Sequence, residues 1–88
     1  MENVSYYILS FDITSVVMEV WQKLESLGIK ACVMPTPRSV QASCGLSIRF
    51  KPGDLQAVYE EMDNDFSDVG YKIFVAVKSD GHTSFEPL

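Results

Sequence analysis

The stretch from Pro35 to Gly45 holds the side chains of this chain best suited to chemistry. Pro35 and Pro37 flank Thr36, and two prolines so close stiffen a loop and lower the entropy lost when it orders. Arg38 follows, a permanent cation with a forked set of donors. Ser43-Cys44-Gly45 closes the segment. Gly45 puts no side chain beside the sulfur, so a bulky partner or another backbone can approach it. A rigid loop, a fixed cation and an unhindered thiol suit thiol chemistry, in which a thiolate attacks, accepts sulfur and later releases it. In that reading Cys44 is the acceptor nucleophile and Arg38 stabilises its thiolate. Thr36, Pro37, Ser43 and Gly45 frame the substrate, with hydrogen bonds from Thr36 and Ser43. A plainer reading stands beside it. Cys44 shares parity with Leu46 and Ile48 and fits a core cysteine at a strand start, and Arg38 fits a solvated loop residue.

Little else in the sequence offers chemistry. Cys32 lies mid-strand without polar neighbours and reads as structural. It is not expected to pair with Cys44, which has the opposite parity. Two cysteines match no zinc spacing. The single histidine, His82, sits in a polar C-terminal stretch, and no phosphate loop, G-x-G-x-x-G or His-x-x-His occurs. No metal or cofactor is expected, and a self-contained acid–base enzyme is not favoured. The 88 residues carry 7 Lys+Arg against 12 Asp+Glu, net −5, which argues against nonspecific nucleic-acid binding and adhesion to anionic membranes. No run approaches a membrane helix, and Met1-Glu2-Asn3-Val4 lacks the basic start of a signal peptide. A reducing, cytoplasmic setting is the expectation.

The elements that must position the loop follow from periodicity. Ser5 to Phe11 is apolar on both parities, as a central strand covered on both faces would be. Asp12 is placed to cap a helix whose stripe is Ile13, Val16, Val17, Val20, Trp21, Leu24 and Leu27, with Gly28 ending it. Ile29 to Met34 is a short strand stopped by Pro35. Leu46, Ile48 and Phe50 alternate with Ser47 and Arg49 in a third strand. Asp54 is placed to cap a second helix with the stripe Leu55, Val58, Tyr59, Met62 and Phe66. Tyr71 to Lys78 is the last strand. Residues 1–78 then form one domain and 79–88 a tail. Six acids between Asp54 and Tyr71, with no Lys or Arg, read as a solvated face or as a docking surface for a basic partner.

The order β-α-β-β-α-β predicts an α+β domain of ferredoxin-like type, with a four-stranded antiparallel sheet in the order 4-1-3-2 and both helices on one face. The helix-free face then carries Cys32, Met34, Ser47, Arg49, Phe74 and Ala76. It is too apolar to be fully wet, so a partner subunit or the tail residues Phe85 and Leu88 should cover it. With the third strand taken to run parallel to the first, Cys44 falls at the edge where the first strand begins and both helices end. Helix dipoles disfavour a thiolate there. Activation is then left to Arg38, to Lys78, or to backbone N–H groups near Gly45.

Pro35-Thr36-Pro37-Arg38 and Ser43-Cys44-Gly45-Leu46-Ser47-Ile48-Arg49-Phe50, together with Tyr7-Ile8-Leu9-Ser10-Phe11 and Leu27-Gly28-Ile29, resemble the selenium/sulfur carrier-like family of small bacterial and archaeal proteins. The resemblance runs from about Tyr6 to Val77 and leaves out the acidic second helix and the last residues. It implies a cytoplasmic protein, more carrier than enzyme, whose Cys44 holds a persulfide or selenosulfide and whose partners are sulfur-transfer or selenium-pathway proteins. The alternative is a small dimeric ligand-binding or protein-interaction module with Cys44 structural and the dimer made through the open sheet face.

Overall fold

The computed structural model describes residues 3–40 and 45–88. β1 (Asn3–Phe11) leads through a single 3₁₀ turn into α1 (Val17–Ser26), then β2 (Ala31–Pro35), β3 (Leu46–Phe50), a second 3₁₀ turn, α2 (Leu55–Asp65), β4 (Tyr71–Ser79) and β5 (His82–Pro87). The sheet is antiparallel throughout, in the order β2-β3-β1-β4-β5. This corrects the expected four strands to five. Read from the other edge, the first four strands run 4-1-3-2, and β5 extends the sheet beyond β4. Residues taken for a tail supply that strand. Asp80 and Gly81 both have positive φ, 50° and 80°, and they join Ser79 to its partner His82. A two-residue turn of that kind matches the twist of a hairpin, which is why Asp-Gly favours it.

β1 is central because both its parities are apolar. Leu9 and Phe11 face the helices, in one core with Val17, Val20 and Leu24 of α1, Val58 and Met62 of α2, and Ile48, Phe50 and Ile73 of the sheet. Tyr7 packs at that core's margin, its ring 5.8 Å from that of Phe50. The ends of the α1 stripe leave the core: Ile13 is 61% and Leu27 51% exposed. Trp21 is half-buried, and its indole N–H donates to the Ala31 carbonyl at 2.8 Å.

The C-terminus of α1 is a Schellman motif. Gly28 N–H donates to Glu25 and Ile29 N–H to Leu24, both at 3.0 Å. Gly28 takes φ +82°, a conformation costly for any residue with a Cβ. Buried Ile29 and Leu24 meet across it. The N-termini differ from expectation. A 3₁₀ turn over Thr14–Val16 precedes α1, so its N-cap is Val16 and not Asp12. Asp54 does hold the N-cap position of α2, but its side chain makes no capping hydrogen bond.

The opposite sheet face has a smaller core of Ile8, Phe74 and Val40, edged by Tyr6, Met34 and Phe85. Val40 comes from the loop after β2 and Phe85 from β5, so the chain itself covers the centre of this face. Leu88, expected to help, is 56% exposed; its N–H extends the strand edge by donating to Ile73 at 2.9 Å.

Candidate functional site

β2 and β3 hold the loop between them. Their register ends at Pro35 opposite Leu46, and Thr36 N–H continues it by donating to the Gly45 carbonyl at 2.9 Å. The Thr36 hydroxyl lies 2.7 Å from that of Ser47, which is fully buried. One hydroxyl donates to the other, so the buried Ser47 hydroxyl has a partner within the sheet. Val40 N–H donates to the Pro37 carbonyl at 3.0 Å, closing a β-turn with Arg38 and Ser39 at its centre. Val40, 4% exposed, anchors the turn against Ile8 and Phe74. Arg38 is exposed at the apex. Gly45 is exposed, and a Cβ at its position would meet none of the described residues within 4 Å beyond its chain neighbours. Cys44 and Ser43 lie outside the described residues. The structure therefore brings Thr36, Pro37, Arg38 and Gly45 into one loop, fixed at both ends and at its turn.

β1 and β3 are antiparallel, as the expected antiparallel sheet requires, and this corrects the parallel direction assumed in placing Cys44 beside the start of the first strand. Ser10 lies opposite both Ser47 and Lys72. The loop thus shares an edge with the end of β1, the start of β4, the N-terminal side of α1 and the C-terminal end of α2. The two helix dipoles oppose each other there instead of both presenting negative ends. Lys78 pairs with Asn3 at the far edge and is remote from the loop, so it drops out as an activating group.

Sequence reasoning missed a second grouping. Cys32, expected to be structural, is an exposed free thiol. It sits on an edge strand opposite Arg49, on the helix-free face. The Arg49 guanidinium lies 5.3 Å above the centre of the Tyr6 ring, a cation–π contact. Lys30, Cys32, Arg49, Lys51, Ser5 and Tyr6 line one shallow cleft. The signal was present as Lys30-x-Cys32 and Arg49-x-Lys51, each pair on one side of its strand. It needs the β2–β3 register to become a cluster.

The acidic second helix is not wholly solvated. Glu61 is 7% exposed, and its Oε2 is buried without a hydrogen-bond partner. Asp65 pairs with Lys23 at 3.4 Å. Among the described residues, no three His, Cys, Asp or Glu side chains are grouped to hold a metal ion. No described helix is long and apolar enough to cross a membrane.

No curated protein and no solved structure matches the chain. A family model does, over residues 6–72, that of the family described as "Putative Se/S carrier protein-like". The match takes in β1 from Tyr6 onward, both helices, β2, the Pro35–Gly45 loop, β3 and the start of β4. By that match, over most of its length, the chain belongs to the Se/S carrier protein-like family.

Proposed function

We propose that the chain carries sulfur or selenium on Cys44, in transit between a donor and an acceptor protein. The family match spanning the loop is the observation that supports this most. The absence of any described residue crowding Gly45, directly after Cys44, adds to it, as does the exposed Arg38 on a turn pinned by Val40.

The chemistry balances without a cofactor. The Cys44 thiolate attacks the outer sulfur of a donor persulfide. A new S–S bond forms to Cys44, the donor's S–S bond breaks, and the donor leaves as a thiolate. In the second half an acceptor thiolate attacks the outer sulfur now on Cys44, and Cys44 departs as a thiolate. Arg38 favours both the attacking and the departing thiolate by its fixed positive charge. Thr36 and Pro37 hold the loop's shape, Gly45 keeps the approach clear, and Ser43 supplies a hydrogen bond. The protein acts as a carrier whose specificity lies in its partners.

Incubation with a persulfide-loaded cysteine desulfurase, followed by intact-mass measurement, tests this. The wild type should gain the mass of one sulfur, Cys32→Ser should gain it too, and Cys44→Ser should not. Gain lost in Cys32→Ser and kept in Cys44→Ser would overturn the assignment. In the same assay Arg38→Ala should slow loading by about tenfold, the weight of one nearby charge on a thiolate.

A further inference from the structure

Three of the seven Lys and Arg residues of a chain with net charge −5 meet in one cleft. β2 and β3 pair with Cys32 opposite Arg49 and Ala31 opposite Phe50. One step further along the same register, Lys30 comes opposite Lys51. Lys30 and Cys32 share a parity, as do Arg49 and Lys51, so all four lie on the helix-free side. Beside them Tyr6 lies under the Arg49 guanidinium. Ser5 falls at the β1 irregularity between Val4 and Tyr6, where an extra residue re-aims side chains. The cleft holds about 360 Å³, and none of its lining residues is acidic.

Like charges set opposite one another on a sheet destabilise it. Among the described residues, none of Lys30, Arg49 and Lys51 joins an ion pair. Such an arrangement needs a counter-charge, and none of the described residues lining the cleft provides one. A forked guanidinium beside two ammonium groups matches the charge and donor geometry of a tetrahedral oxyanion. The Ser5 and Tyr6 hydroxyls add neutral donors.

We propose that this cleft is a binding site for a tetrahedral oxyanion, a sulfate or phosphate group, free or carried on a small solute, with Lys30, Arg49 and Lys51 as its charge partners. It lies at the opposite end of the β2–β3 pair from the Pro35–Gly45 loop and does not depend on the role assigned to Cys44. The Cys32 thiol lies within it and reports on its occupancy.

The test is an amide NMR titration of the full chain with sodium sulfate, sodium phosphate and O-phosphoserine, each against sodium chloride at matched ionic strength. Saturable shifts should centre on Cys32, Arg49 and Lys51. The tightest of the three anions distinguishes a free ion from a group on an organic solute. Lys51 is exposed, so Lys51→Gln should fold normally and weaken binding about tenfold, as loss of one charge-assisted contact does. Bound anion should also slow alkylation of Cys32 by iodoacetamide, read on its own peptide and separately from Cys44. Shifts that chloride reproduces, or affinity unchanged in Lys51→Gln, would remove the site.

Discussion

Glu61 lies one helical turn before Asp65 on α2, and the pair responds to acid in opposite directions. The hydrogen bond that a protonated Glu61 carboxyl can donate to Asp65, then burial, then the charge of Asp65 raise it above the usual glutamate range, with Lys23 acting against them. Hydrogen bonds from Glu61 and Lys23 lower Asp65. A carboxyl raised in the folded state binds its proton more tightly there than in the unfolded chain, so its contribution falls as pH rises through that raised value. Asp65 contributes above its unfolded value and loses that contribution as pH falls through its lowered one. Stability should therefore rise as pH drops from neutral toward the ordinary glutamate range, then fall in stronger acid. Glu61→Gln keeps a donor for Asp65 and removes the titration. Melting temperatures across that pH range should lose the first limb and be higher at neutral pH than in the wild type. At Thr36, replacement by Val leaves the buried Ser47 hydroxyl without its 2.7 Å partner. The expected loss is about 1–2 kcal/mol by urea unfolding.

At the scale of elements, α1 and the β4–β5 hairpin are set by two glycines with positive φ. Gly28→Ala should cost about 1–2 kcal/mol, the strain of a left-handed residue bearing a Cβ, with the helix otherwise intact by circular dichroism. The capping aspartates behave differently. Asp12 matches a helix start in type and position, yet the helix proper starts only after a 3₁₀ turn. Local propensity locates a helix more reliably than its first turn, where the neighbouring strand fixes the chain's direction. Asp80-Gly81 marks a hairpin in the sequence as plainly as Gly28 marks a helix end. The strand behind it, His82 to Pro87, escaped because it is short, polar and at an edge, and carries one apolar anchor, Phe85.

For the whole molecule, the helix-free face decides how the parts depend on one another. Val40 ties the candidate loop to Ile8 and Phe74, and Phe85 packs on the same patch, with its ring 6.2 Å from that of Tyr6. Phe85→Ala should destabilise the fold by about 2 kcal/mol, near half the cost at a fully buried site. It should also increase binding of a hydrophobic dye to the uncovered face. The sequence by itself determined the two helices, the first four strands, the residues on each sheet face and the loop that resembles a family, because all of these follow from short-range periodicity and from a compact motif. Only the tertiary structure decided the fifth strand, the end of the sheet at which the loop lies, the burial of Glu61, and the meeting of Lys30, Arg49 and Lys51 around Cys32. Each depends on contacts that the local pattern does not carry: β5 on its pairing with β4, the loop's placement on strand direction, the basic cluster on the β2–β3 register, and the burial of Glu61 on the packing of α2.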